Sequence, residues 1–177
     1  MRDFLNHKLT LNVLFCLSYF VLATLGFEWG AHTANATLLW PPSGLAVFGL
    51  IVFGRRILPG LFLGALLSSQ LISLTNPEHN SFLNLAIATI SGSSSILQAL
   101  LIAKLSHRYY QSQFHVSTAA SITFTLMVIA CCCLAATASN ISLWQAGIIS
   151  FSSALQTWAV WWMGDAIGVL IVAPLLL

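Results

Sequence analysis

Leu39-Trp40-Pro41-Pro42-Ser43-Gly44, running on through Leu45 to Phe53 and closed by Gly54-Arg55-Arg56, decides how the rest of the chain is read. From Pro42 to Phe53 there is room for about 12 helical residues, roughly 18 Å at 1.5 Å per residue, against a hydrocarbon core of about 30 Å. A helix of that length cannot span alone. Either it begins at Pro42 part-way into the bilayer, with the preceding loop dipping in to meet it, or a full-length helix from about Ala34 is kinked at the two prolines. Both readings leave backbone groups open at membrane depth, where they are tolerated only if protein or a wet cavity surrounds them. A cavity near Trp40 to Gly44 is therefore expected.

The chain around this stretch is apolar. Of 177 residues 58% are hydrophobic and only 6% charged, whereas a soluble domain carries about a quarter charged residues. This composition predicts an all-α, polytopic integral membrane bundle with the bilayer as its first partner. No hydrophilic run is long enough for a soluble domain, so residues 1–177 are read as a single membrane domain without an output module of its own. Nucleic-acid binding is set aside, and no cofactor is implied. Cys16 and the consecutive Cys131, Cys132 and Cys133 lie in apolar runs. Neighbours on a helix point about 100° apart, so the triplet cannot converge on one metal; no metal site and no disulfide framework follow.

About six spans are expected. Leu9 to Phe27 is the first, retained rather than cleaved because no small-residue cleavage pattern follows it. The Pro-Pro-interrupted second helix comes next, and Ile57 to Leu74 returns across the membrane. On that third span Gly60, Gly64 and Ser68 share a face suited to close helix packing. Phe82 to Leu105 is the fourth, with Ser91, Gly92, Ser93, Ser94, Ser95 and Gln98 making a polar middle that must be surrounded by other helices. The fifth runs from Thr118 to Ala138. For Asn140 to Leu177 a single sixth span is favoured, its outer end marked by Trp158, Trp161 and Trp162 as an interfacial belt; the alternative is two shorter segments, Gln145 to Trp162 and Gly164 onward. All six Lys and Arg residues fall at the amino terminus (Arg2, Lys8), the second-to-third turn (Arg55, Arg56) or around the fourth-to-fifth loop (Lys104, Arg108). The positive-inside rule makes that side cytoplasmic, with the amino terminus inside and Glu28, His32, Glu78 and His79 outside.

Trp40-Pro41-Pro42-Ser43-Gly44, Phe53-Gly54-Arg55-Arg56 with Pro59-Gly60 and Gly64, the Gly92 to Gln98 region with Ala99-Leu100-Leu101, and Trp161-Trp162-Met163-Gly164-Asp165-Ala166-Ile167-Gly168-Val169 leading to Ala173-Pro174-Leu175-Leu176 occur in order. Together they resemble the membrane-associated sensor domain of the first, MASE-type, class. Gln98 stands where that pattern often has Glu. The resemblance implies a multi-pass sensory module of the bacterial inner membrane, regulating a cytoplasmic histidine kinase of a two-component system or a cyclic-di-GMP synthase or hydrolase. It also implies further spans beyond Leu177, so the chain is expected to be a shortened or excised form.

Asp165 is the sharpest candidate for a signal site: a carboxylate inside the membrane is costly unless paired, protonated or facing water. Its ordinary reading is a structural hydrogen bond to backbone freed at Pro41 and Pro42. Gly164 and Gly168 beside it are spaced for a close neighbour, as is Gly92 on the fourth span. Ser43 and Gly44 open a helix whose first amides lack partners, a place for a polar ligand or for simple capping. Glu28 is a candidate to share a cation or proton with Asp165, or else a solvated helix end. Gln98 lines the same cavity or holds helices together, and Trp40, Pro41, Pro42, Trp161 and Trp162 complete the candidate site. His32 and His79 lack ligand spacing. No nucleophile, base and orienting residue can be assembled, so catalysis by this chain is not expected.

The expected function is to sense a small-molecule or membrane-borne signal entering from the outer side, for a cytoplasmic output domain or partner protein, with a second copy of the chain as a further packing partner. A transporter or substrate-capture subunit is the main alternative, because a broken helix facing an acidic residue also describes carriers.

Overall fold

In hydrocarbon a helix is the backbone that closes its own hydrogen bonds. The computed structural model, which describes residues 2–29, 32–33, 36–74, 81–110 and 118–177, is accordingly helical almost throughout. The helices are α1 (Arg2–Trp29), α2 (Pro41–Phe53), α3 (Leu58–Leu74), α4 (Ser81–Tyr110), α5 (Thr118–Gln145) and α6 (Phe151–Leu176). Between α1 and α2, β1 (His32–Thr33) pairs antiparallel with β2 (Ala36–Thr37), His32 opposite Thr37. Among the described residues five segments are long and apolar enough to cross a membrane, and one of these, Pro41–Leu71, contains α2 and most of α3. The polytopic helical bundle expected from composition is the fold.

Helix directions follow from which residues face each other. A Cβ built on Gly60 would meet Asn12 and one on Gly64 would meet Cys16, so α3 runs parallel to α1. Gly26 faces Pro41 while Gly49 faces Phe15, so α2 runs antiparallel to α1. The chain therefore reverses between α2 and α3, through a 3-10 turn at Gly54–Ile57. Gly54, with φ 67° and ψ −161°, occupies a region essentially confined to glycine. Pro41–Leu71 is thus a hairpin of the short α2 and of α3, and the described residues hold five segments of spanning length where about six were expected.

Of the two readings of the prolines, the kinked full-length helix from about Ala34 is not found. The second helix is not interrupted: Pro41 and Pro42 initiate it, with Trp40 as N-cap, because proline lacks an N–H where a first-turn N–H would be unpaired anyway.

The Arg55-Arg56 turn is fastened by a residue the apolar pattern of α1 conceals. Asn12 donates from Nδ2 to the Arg56 carbonyl (3.0 Å) and accepts from the Gly60 amide at Oδ1 (2.7 Å), so it caps α3 from a neighbouring helix. Asn12→Leu strands both backbone groups and is expected to cost about 1–3 kcal/mol, read as a lower melting temperature of the detergent-solubilised chain.

The last third departs from expectation in two ways. The fifth helix continues to Gln145, and α6 starts at Phe151 after a turn with Gly147 at φ 73° and Ser150 as N-cap. One sixth helix is right, and the two-segment alternative is not found. The tryptophans do not mark its outer end: they lie two to three turns inside it. Trp162 donates its indole N–H to the Ile129 carbonyl (2.8 Å) and Trp158 donates to Thr137 Oγ1 (3.0 Å), the two rings stacking at 5.7 Å. Two of the three indoles are thus bonded into the α5–α6 groove. These bonds also make α5 and α6 antiparallel.

Val47, Ile57, Leu61, Ile102, Val128 and Val169 form the buried centre, while Leu14, Leu17, Leu63, Leu67, Leu97 and Leu126 point outward, as lipid-facing side chains should. Lys8, Arg55, Arg56 and Lys104 are exposed.

Candidate functional site

Small residues let the segment before α2 lie directly on α6. A Cβ on Gly164 would overlap the Thr37 carbonyl oxygen, one on Gly168 the Trp40 carbonyl oxygen, and one on Gly44 the Gly168 carbonyl oxygen. The neighbour for which Gly164 is spaced is thus a loop, not a helix. The pairings also run 37 with 164, 40 with 168 and 44 with 172, so α2 and α6 are parallel.

Polar groups of the segment are closed by α6. The Trp40 amide donates to the Gly164 carbonyl (3.1 Å). Ser43 Oγ lies 2.8 Å from the Trp40 carbonyl and 3.0 Å from that of Asp165, linking the start of α2 to α6. Thr37 Oγ1 donates to the Leu39 carbonyl (3.0 Å). Ser43 is therefore a tether rather than a cap, since its hydroxyl bonds carbonyls and no first-turn amide, and the open backbone expected at the prolines is protected by protein.

On the other face of this contact sits the Asp165 carboxyl, with no exposed surface. Its Oδ2 accepts from Gln98 Nε2 on α4 (3.1 Å), and Gln98 Oε1 accepts from the Ala135 amide on α5 (3.3 Å). Gln98 is 1% exposed, so its amide is committed to joining three helices. Asp165 Oδ1 has no hydrogen-bond partner among the described residues. The Tyr19 phenol of α1 and Cys132 of α5 are close enough to Asp165 to interact with it electrostatically, and Tyr19 also stands beside Trp40. Tyr19 lies eleven residues from Lys8 and nine from Glu28, about 16 and 13 Å along α1. The acid is well inside the bundle.

Asp165, Trp40, Pro41, Pro42, Ser43, Gly44, Gly164, Gly168 and Gln98 are thus brought together. The expected open space beside the prolines is largely filled by backbone contact; what remains polar and unanswered is one carboxyl oxygen. Glu28 is exposed at the end of α1, apart from this knot. Trp161 is half-buried one turn outward of Asp165, and Trp162 belongs to the α5 contact. Gly60 and Gly64 pack on α1, Gly92 on Ala65 of α3, and Ser68 is buried with its hydroxyl on the Ala65 carbonyl. Glu78 and His79 lie outside the described residues, and of His32 the strand backbone alone is described. Tyr19 and Cys132 were missed from sequence. Tyr19 continues the Leu11, Phe15 stripe at helical spacing, which marks it as buried but does not connect it to an acid 146 positions away.

A family model described as MASE1 matches residues 11–177. Neither the curated proteins nor the solved structures provide a match.

Proposed function

Since this chain belongs to the MASE1 family of membrane-associated sensor domains, and is therefore a multi-pass membrane module for sensory input, we propose that its signal is read at the Ser43–Asp165–Gln98 knot. The observation that carries this reading is the linkage itself. One side chain on α2 grips the Asp165 backbone, and one on α4 grips its carboxyl. A small molecule or membrane-borne cue that binds one arrangement of the outer loop better than another shifts α6 against α4 and α5, and it can do so only by that difference in affinity. The shift passes down α6 to the cytoplasmic side. There it regulates a histidine kinase, or an enzyme that makes or degrades cyclic-di-GMP, in the inner membrane of a bacterium. The domain contributes no catalytic step.

Asp165→Asn in the complete native protein tests this. The Asn carbonyl still accepts from Gln98, so the fold is retained while the charge is removed. Kinase autophosphorylation or cyclic-di-GMP turnover is expected to shift by about 5- to 150-fold, the range of ordinary coupling energies. Unchanged output at wild-type expression rejects the site. Solute accumulation by proteoliposomes would instead favour a carrier.

A further inference from the structure

Outward from Asp165, buried hydroxyls continue where the apolar core stops. The Ala135–Gln98 bond sets one rung between α4 and α5. These helices are antiparallel: α4 opposes α3, as Gly92 beside Ala65 and the groove lined by Leu58, Phe62, Ile96 and Leu100 require, while α5 opposes α6. The next rungs outward therefore set Ser94 level with Ser139 and Ser91 level with Ser142. All four are buried, Ser139 completely.

Their hydrogen bonding is incomplete. Ser94 donates to the Ser91 carbonyl (3.0 Å) and Ser142 to the Ser139 carbonyl (2.7 Å), which leaves their lone pairs free to accept. Ser91 Oγ and Ser139 Oγ have no partner among the described residues, the same condition as Asp165 Oδ1. Ser139 is four residues from Ala135 and Ser91 seven from Gln98, so they stand about 6 and 10 Å outward of the Gln98 rung that holds the acid. Native interiors rarely leave one such group bare, and ordered water is the usual partner.

We propose that bound water joins Ser91, Ser139 and Asp165 Oδ1 into a path that carries protons from the outer face of the bundle to the Asp165 carboxyl. A hydronium at the outer end passes its proton along the chain, the carboxylate takes it up, and water is left behind. Among the described residues the titratable groups facing Asp165 are Tyr19 from α1 and Cys132 from α5; α2 and α4 present Ser43 and Gln98, which do not titrate. The inference rests on the reading of Asp165 as the signal site, but its test needs no output domain.

The full chain in lipid nanodiscs is given a step in bath pH, and the infrared carboxyl band assigned by its loss in Asp165→Asn is followed in time. The band is expected to respond in the wild type. In the Ser91→Ala, Ser139→Ala double variant it should respond about tenfold more slowly, the factor set by one lost hydrogen bond, with Ser139→Thr restoring speed. The double variant should melt no higher than the wild type, because it loses water contacts. A band that never responds, an unchanged rate in the double variant, or a raised melting temperature from removing dry hydroxyls each overturns the path. An intact path with unaltered output in Asp165→Asn would reject the sensing site alone.

Discussion

Gly168→Val is expected to remove about 3 kcal/mol or more of stability, above the ordinary range for overpacking. Its Cβ would enter the Trp40 carbonyl oxygen and crowd Ser43 Oγ at 2.7 Å. Neither obstacle is the free end of a flexible side chain. The Trp40 carbonyl is held by Ser43, and the Trp40 amide is held by the Gly164 carbonyl, so relief means lifting the whole 37–43 segment from α6. Lifting it strands the Trp40 amide and the Ser43 hydroxyl in an apolar setting, each at about 1–3 kcal/mol. Thermal melts in detergent check the size of the loss, and protease access between Thr37 and Pro41 checks its location. A variant that melts with the wild type and stays protected would show that the loop does not lie on α6. Gly54→Ala supplies the contrast. Nothing lies within 4 Å of its Cβ, so its cost comes from φ alone and leaves the α2–α6 contact in place.

This contrast also shows what a sequence can and cannot convey. The membrane class, the short second helix, the reversal at Gly54-Arg55-Arg56 and the common side of the basic residues all follow from local composition and length. That the Asp165 stretch lies beside the start of α2 was legible because both features are anomalies in hydrocarbon, but the carboxyl itself is answered by Gln98, and the Trp40 backbone by Gly164 and Ser43. The partners of small residues were not legible. Gly60, Gly64, Gly164 and Gly168 look alike in sequence, yet the first pair admits α1 and the second a loop. Asn12 was unreadable for a similar reason: a single amide in an apolar helix gives no sign of which backbone it will cap. The tryptophans misled because an indole N–H is satisfied equally by interfacial water or by a carbonyl in a groove, and only the neighbouring helix decides.

The largest energetic asymmetry is expected between Gln98 and Asp165. Gln98→Leu takes away the one side-chain donor among the described residues that reaches the Asp165 carboxyl, leaving it to face Tyr19 and Cys132 in the interior, and an unanswered buried polar group costs about 1–3 kcal/mol, more when it carries charge. Asp165→Leu leaves behind a neutral amide, still accepting from Ala135, at about 1–3 kcal/mol. With both replaced, no carboxylate is stranded, so the double variant should be more stable than Gln98→Leu alone even though it carries one more substitution. That ordering distinguishes a hydrogen-bonded knot from ordinary packing, in which each truncation adds to the last. The four melting temperatures of the cycle decide the matter: losses that simply add would mean that Gln98 and Asp165 are neighbours without being partners, and the force that binds α4 to α6 would have to be sought elsewhere.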